Sequence, residues 1–192
     1  MTGEEIAVWL SNIFGELGLS DIEGRRLAFT TLDDDTRAAM TCGFSGVDTG
    51  LVLEAEQDTE VRAELVVVTR TAPDVELASA LLAAWDELAG ASGTLAAQPG
   101  TFLPDLVQRS HLAEVVEHKG AEPVTVRHGV LREPQLFEQG TPHFTEPGRM
   151  TLLLELVLLT DEEFELARER GIEGLDTRLR RRATDLGNWR RE

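Results

Sequence analysis

The sequence predicts an α+β fold in which helices flank a central, mixed and mostly antiparallel sheet. Helical and strand-like patterns follow in the order helix, four strands, helix, two strands and two helices. Doubly wound parallel sheets alternate strands with helices, so this order argues against them. Hydrophobic residues make up 42% of the 192 residues, which is enough for a packed core. Because no repeat or clear linker divides the chain, we expect a single domain over residues 1–192.

The first predicted element is a helix that begins at a capping box. Thr2 and Glu5 have the spacing at which a hydroxyl and a carboxylate satisfy each other's free backbone amides. Apolar residues then recur at helical spacing as far as Leu17, and Gly18 can end the helix. With the turn that follows, this helix forms an N-terminal segment over residues 1–24.

Four strand-like segments come next, in which apolar and polar residues alternate as in half-buried strands. They cover residues 27–31, 38–42, 51–55 and 61–70. Glycines and acidic residues between them mark turns.

The second half of the chain opens with a helix over residues 74–90, followed by a long loop over 91–104. Two strands are predicted at 124–131 and 149–159, and the second is apolar on both faces, which favours a central position.

A second capping box, formed by Thr160 and Glu163, predicts a helix that ends at Gly171. A last helix is expected over residues 173–183, and residues 184–192 are expected to form a C-terminal tail.

The charge of the chain is strongly negative and unevenly distributed. The chain holds 35 acidic and 18 basic residues, a formal net charge of −17. Binding to nucleic acid depends on clustered cations, so we expect no nucleic-acid partner. Residues 168–192 carry a net charge of +3, and residues 1–167 therefore carry −20. The arginines at 178 and 180–182 are expected to lie at a helix C-terminus and to pair with the acidic body.

Nothing in the sequence indicates a membrane or an oxidising compartment. The single cysteine, Cys42, cannot form an intrachain disulfide. The acidic N-terminus lacks the pattern of a signal peptide, and the longest apolar run, residues 152–159, is too short to span a bilayer. We expect a cytoplasmic protein with no membrane partner.

No motif of a known catalytic class stands out. Cys42 lies within an apolar strand pattern, which is typical of a buried thiol. Neither a Gly-x-Ser-x-Gly elbow nor a phosphate-binding glycine motif occurs, and the acids at 33–35 lack the spacing of a calcium loop. We therefore expect no enzyme activity, no catalytic residue and no cofactor.

One cluster leaves a metal site open as an alternative. His111, Glu114 and His118 would share a face if their segment were helical, although the spacing is not that of His-Glu-x-x-His. A solvated turn is favoured over a zinc site there. A small metal-dependent hydrolase is the alternative function, and metal analysis of the purified protein would test it. His128 and His143 have no obvious partner in the sequence.

Three blocks, in order along the chain, are similar to those of a known domain family. Residues 40–45, Met-Thr-Cys-Gly-Phe-Ser, are similar to a Thr-x-Gly-Met-Ser block, with Phe44 in place of the methionine. Residues 62–65, Arg-Ala-Glu-Leu, are similar to an Arg-x-Glu-Leu strand. Residues 156–164 are similar to an apolar strand that leads into a Thr-x-x-Glu helix. The chain thus resembles the suppressor-of-fused domain family, in its bacterial single-domain type.

This resemblance implies an α/β sandwich-like domain without enzyme activity. In animals such a domain, with a second one, restrains a transcription factor by gripping a short peptide. The bacterial single-domain relatives resemble immunity proteins, which neutralise a toxin inside the producing cell. The function expected is therefore a non-enzymatic protein-binding domain, with occlusion of a basic toxin domain as its specific form. A homodimeric scaffold is the remaining alternative.

Candidate partner-binding residues are acids in turns and apolar groups beside them. The residues concerned are Asp33, Asp34, Asp35 and Phe44. The competing interpretation is that the acids only solubilise their turn and that Phe44 packs in the core. Periodicity assigns Trp9, Trp85 and Leu154 to the core.

Overall fold

The computed structural model describes residues 1–32, 36–110 and 122–191. Within these residues nine strands form one sheet. They are β1 (Gly18–Ile22), β2 (Arg25–Thr31), β3 (Arg37–Thr41), β4 (Val52–Leu53), β5 (Glu56–Thr69), β6 (Phe102–Leu103), β7 (His128–Arg132), β8 (His143–Glu146) and β9 (Arg149–Leu159).

The helices in the described residues are α1 (Gly3–Phe14), α2 (Asp74–Gly90), the short α3 (Leu106–Arg109) and α4 (Asp161–Arg182). Both predicted capping boxes are confirmed, because Thr2 with Glu5 and Thr160 with Glu163 make the reciprocal side-chain to backbone bonds. These bonds satisfy amides that a helix start leaves free.

The sheet is mixed and mostly antiparallel, as the sequence predicted. Its order is β1-β2-β3-β5-β9-β7-β6, with β4 paired to β5 and β8 paired to β9. The central pair, β5 and β9, is parallel, with Glu60 opposite Arg149 and Val66 opposite Glu155. The other strand pairs of the described residues are antiparallel. The central position expected for residues 149–159 is confirmed.

Helices cover both faces of this sheet. Even-numbered residues of β9, such as Leu154 and Leu156, pack with α2 side chains such as Leu77 and Leu81 in one cluster. On the opposite face, one cluster joins α1 to the sheet through Ile6, Leu10, Met40, Val66 and Leu153. Another cluster on that face joins α4 to the sheet through Phe164, Leu175, Leu179, Val157 and Leu159. This alternation gives each side of the central strand its own apolar layer.

The break predicted between the last two helices is confirmed at Gly171. α4 consists of two helical segments that meet at Gly171, which has φ +72° and ψ 175°. This non-helical residue kinks α4 at the glycine that the sequence marked as a helix end. Gly tolerates such a conformation because it lacks a Cβ.

Residues 184–191 do not form a tail, contrary to expectation, because they are packed into the domain. Trp189 is 1% exposed and belongs to the α2-side core. Its amide donates to the Thr71 hydroxyl over 3.1 Å, and its carbonyl accepts from the Thr125 amide over 3.0 Å. The segment therefore closes the end of the sheet between α2 and α4.

Two ion pairs fasten this segment further. Arg190 donates to both carboxylate oxygens of Glu76, at 3.0 and 3.2 Å, and Glu76 is fully buried. Arg191 pairs with Glu163 at 2.6 Å and also donates to the Leu158 carbonyl over 2.7 Å. Paired burial of this kind satisfies charges that would otherwise be costly to desolvate.

None of the helices in the described residues is both long and apolar enough to cross a lipid bilayer.

Candidate functional site

A buried carboxylate joins two of the blocks on which the family resemblance rests. Glu64, on β5, is fully buried and accepts hydrogen bonds from the amides of Gly43, Phe44 and Ser45 at 3.0 to 3.2 Å. It also accepts one from the Thr41 hydroxyl at 2.5 Å. The Arg-x-Glu-Leu strand thus holds the turn of the Thr-x-Gly-Met-Ser block through one side chain.

Two opposing effects act on the pKa of the Glu64 carboxyl. Burial is the larger and raises the pKa of its carboxyl, while the donors from Thr41, Ser45 and Gly43 favour the charged form. The Thr41 hydroxyl is oriented as a donor, because its oxygen already accepts the Leu65 amide over 2.9 Å. The arrangement is structural: every donor to the carboxylate comes from the chain itself, and the group is sealed from solvent.

Phe44 does not reach the surface, so its role as an exposed partner contact is corrected. Its side chain is 1% exposed, and its ring meets Trp85 edge-on with centroids 5.5 Å apart. The hydrogen bonds to Glu64 fix the short 3₁₀ turn Phe44–Gly46 and direct the ring inward. Asp33, Asp34 and Asp35 lie outside the described residues.

The other core predictions are placed as follows. Leu154 is fully buried, as predicted, whereas Trp9 and Trp85 are half-buried and pack at the margins of their clusters. Cys42 is buried, as expected, and burial raises the pKa of its thiol to about 12. A thiol in this state is a poor nucleophile.

His128 has partners that the sequence did not reveal. Its Nδ1 accepts the Asp105 amide over 3.0 Å, and its Nε2 lies 2.9 Å from an Asp161 carboxylate oxygen. The ring is also stacked on Phe164, at 4.0 Å between centroids. Because both nitrogens are engaged, the imidazole has no free lone pair for general-base work. The contact holds the start of α4 against β7.

The contact with His128 also affects the pKa of Asp161. The hydrogen bond from His128, followed by that from Arg127, holds the pKa of Asp161 below its usual range.

Metal ligation has no support among residues 1–32, 36–110 and 122–191, where no three His, Cys, Asp or Glu side chains are grouped as metal ligands. The candidates His111, Glu114 and His118 lie outside the described residues. His143 is exposed on β8, with its Nδ1 3.3 Å from the Thr141 carbonyl oxygen.

A groove of about 560 Å³ lies between the C-terminal end of α1 and a loop before β8. Its apolar lining includes Ile13, Phe14, Leu136 and Phe137. Thr31, Leu32 and Thr36 complete the lining.

A second and larger groove, of about 630 Å³, lies between α1 and the β8–β9 hairpin. We call it the α1–β8 groove. Its lining consists of Met1, Glu4, Glu5, Val8, Trp9, Asn12, Phe144, Thr145, Glu146 and Pro147. Val8 is 61% exposed and Phe144 is 39% exposed, so apolar surface is left open to solvent on both walls.

Sequence reasoning missed this groove, although it contains one usable signal. Val8 lies on the side of α1 opposite Ile6 and Leu10, which are the residues the helix buries. An apolar residue on an otherwise polar helix face is a common surface feature, so it becomes informative only when a second element brings Phe144 beside it. β8 itself carries no apolar alternation and was not predicted.

The terminal arginines behave as expected for a helix end that pairs with the acidic body. Arg178 and Arg182 both pair with Glu162, and the contact of Arg182 is 3.8 Å long. Arg180 donates to the Asp176 carbonyl over 3.2 Å. These contacts link the second half of α4 to its first turn.

Comparison with known proteins gives a consistent result at the level of structure. No protein-family model matches the sequence, and no curated protein does. The structure is similar to a chain in a crystal structure of a Sufu–Fu complex, with a TM-score of 0.61 and 14% identity. The match covers 97% of this chain and 87% of that chain. It is also similar to Drosophila Suppressor of Fused, with a TM-score of 0.52 and 14% identity.

The second match covers 95% of this chain but 42% of the Drosophila protein, so the chain spans less than half of that relative. At this identity the likeness concerns the fold. It extends over nearly the whole chain, and it agrees with the motifs that Glu64 joins. The chain therefore has a suppressor-of-fused-like fold.

Proposed function

We propose that this chain is a non-enzymatic protein-binding domain and that the α1–β8 groove contacts its partner. The observation that carries the proposal is the pair of exposed apolar side chains, Val8 and Phe144, on facing walls of one groove. Clustered apolar exposure beside polar rims is characteristic of protein interfaces.

The fold supports this proposal. One structurally similar protein comes from a crystal structure of a Sufu–Fu complex, that is, of a domain with this architecture together with another protein. A likeness at 14% identity transfers the architecture, and the groove supplies the independent argument from this chain's own residues.

The specific form that we propose is an immunity protein, acting in the cytoplasm of a bacterial cell, that occludes a basic toxin domain. Its support is the resemblance to bacterial single-domain members and the charge of −20 over residues 1–167. A surface of this charge accelerates association with a cationic protein and contributes to specificity. The acids at 33–35 are proposed to contribute to this attraction.

The test is recovery of a partner from extract of the native cell, with the purified chain as bait. We expect one basic protein, whose purified form binds the chain directly. Raising the salt concentration from about 0.05 M to about 0.5 M shortens the Debye length to a few ångströms and should weaken this complex. Replacing Asp33, Asp34 and Asp35 together by Asn should slow association, whereas Glu169→Gln on the exposed face of α4 should not.

Failure to recover any protein that binds directly would contradict the protein-binding proposal. An acidic or neutral partner, or a complex indifferent to salt, would contradict the basic-toxin form and leave the broader proposal standing.

A further inference from the structure

From the α1–β8 groove we infer the chemistry of the partner: a protein segment that inserts a bulky apolar side chain between Val8 and Phe144 and carries arginine or lysine on either side of it. This inference rests on the proposed function and specifies the contact that the groove makes.

The first argument is shape and exposure. In the described residues the large apolar side chains with substantial exposure are Val8, Leu19, Val52, Leu136 and Phe144. Of these, Val8 and Phe144 line the same groove, where Trp9 and Pro147 supply further apolar surface. The volume of about 630 Å³ is within the range of sites that bind small ligands and anchoring side chains.

The second argument is the charge of the segments that build the groove. Residues 1–24 and 133–148 together contain eight acidic residues and no lysine or arginine. Glu4, Glu5 and Glu146 line the groove itself. The α-amino group of Met1 lies 2.8 Å from Glu146 and offsets part of that charge, which leaves Glu4 and Glu5 as the main anionic groups.

Glu5 is held in its charged form. Its carboxylate accepts the Thr2 amide over 2.7 Å, and this hydrogen bond lowers the pKa of Glu5. Glu4 is exposed in the first turn of the helix. Cationic side chains beside an inserted apolar group would therefore meet negative charge on the α1 side of the groove.

A second copy of this chain fits these requirements poorly. Its most basic stretch, around Arg178 and Arg180, encloses Leu179, which is 7% exposed and faces the core. Its exposed residues Leu19 and Val52 each stand two positions before an acid, which the rim of the groove would repel. A different protein is therefore the occupant that we infer.

The probe is a blocked peptide of sequence Arg-Arg-Leu-Phe-Leu-Arg-Arg, added to the full chain labelled with ¹⁵N. Two matched peptides replace either the four arginines by glutamate or the three apolar residues by alanine. We expect amide shifts of α1 and β8 with the first peptide, and binding at least about tenfold weaker with either control at low salt.

Variants of the chain localise the contact. Val8→Glu places a charge where the apolar side chain would insert, and we expect it to weaken binding at least about tenfold. Val52→Glu makes the same exchange at a valine of similar exposure outside the groove and should leave binding unchanged. Thermal unfolding of both variants verifies that each is folded.

Four results would overturn the inference. They are equal binding of the arginine and glutamate peptides, equal loss in the two valine variants, shifts confined to other elements, and a dimer of the chain that Val8→Glu dissociates. If Val8→Glu binds the partner recovered from cells as tightly as the unmodified chain, the inference fails, and with it the proposed role of the α1–β8 groove, while the proposal that the chain is a protein-binding domain stands. If no partner is recovered from cells but the arginine peptide binds selectively at the groove, the protein-binding proposal fails while the inferred chemistry of the groove stands.

Discussion

The carboxylate of Glu64 accepts a hydrogen bond from the hydroxyl of Thr41, and this contact binds the central strand β5 to the end of its neighbour β3. Since the same hydroxyl accepts the amide of Leu65, it connects β3 to β5 in both directions. Three backbone amides complete the set of donors around Glu64. A group so enclosed specifies one conformation of the turn.

Glu64→Gln should destabilise the domain by about 2–4 kcal/mol, because the amide nitrogen would face backbone amides that need an acceptor. The free energy of unfolding from urea titration measures this change. Glu169→Gln, on the exposed face of α4, makes the same exchange and should alter stability by less than about 0.5 kcal/mol. Equal stability of Glu64→Gln and the unmodified chain would mean that Glu64 is protonated and that the donor arrangement is read wrongly.

Arg190→Ala should cost about 3–5 kcal/mol, because it leaves the buried carboxylate of Glu76 without the guanidinium nitrogen that donates to both of its oxygens. Adding Glu76→Gln to Arg190→Ala should restore part of the loss, since the residual charge is removed. A double-mutant cycle on urea unfolding gives the coupling energy. Additive effects of the two substitutions would show that the pair is not coupled.

Gly171→Ala should destabilise the domain by about 1 kcal/mol, because its φ of +72° is strained for any residue with a Cβ. Crowding is not the cause, since a Cβ there would meet nothing within 4 Å. Gly90→Ala provides the control. That glycine also has open space but no positive φ, so alanine should be neutral or stabilising at the end of α2. Thermal unfolding of both variants decides the matter, and equal effects would contradict the kink.

The thiol of Cys42 should react slowly with a disulfide reagent in the native protein and rapidly in urea. Its burial both blocks access and raises the pKa to about 12, so little thiolate forms at pH 8. Ser20→Cys, at an exposed position of β1, provides a thiol that should react at the rate of a free cysteine. Rapid modification of Cys42 without denaturant would contradict its burial.

Asp161 should contribute to stability at neutral pH and lose that contribution in acid. Its pKa is lower in the folded protein than in the unfolded chain, chiefly because His128 donates to it. The stabilisation is thus fully present above the unfolded pKa and disappears as the pH falls through the folded pKa. Asp161→Asn should flatten the acid side of the stability curve, as urea unfolding between about pH 2 and 6 would show. An unchanged acid limb would contradict the assignment.

Local chemistry made much of the fold predictable. The pairs Thr2 with Glu5 and Thr160 with Glu163 mark helix starts through contacts between residues three positions apart. The apolar alternation that predicts β2, β3 and β5 and the two-faced β9 comes from burial, which acts on each strand directly. Signals of this kind require no knowledge of distant neighbours.

The elements that escaped prediction lack such signals. β1 and β8 are largely exposed, so their sequences show no apolar alternation, and each depends on hydrogen bonds to the strand beside it. Trp189 stands alone among polar residues, and only the tertiary structure shows that it fills the core.

The negative charge of the candidate site was predictable from the sequence, but its position was not. The acidic charge of residues 1–167 is visible in the sequence, whereas the presence of Val8 and Phe144 in one groove depends on the packing of α1 beside the β8–β9 hairpin. A turn phenylalanine could have faced either way, and hydrogen bonds to Glu64, 20 positions away, turn Phe44 inward.

The parallel pairing of β5 with β9 has a consequence for the folding of the chain during its synthesis on the ribosome. Glu60 can pair with Arg149 only after the ribosome has added 89 more residues. The core on the α2 side is completed later still, when Trp189 has been added. Until β9 has been synthesised, the edge of β5 that pairs with it remains unpaired and can bind other chains. Contacts so distant in sequence slow folding, so we expect the nascent chain to depend on protection by a chaperone during its synthesis.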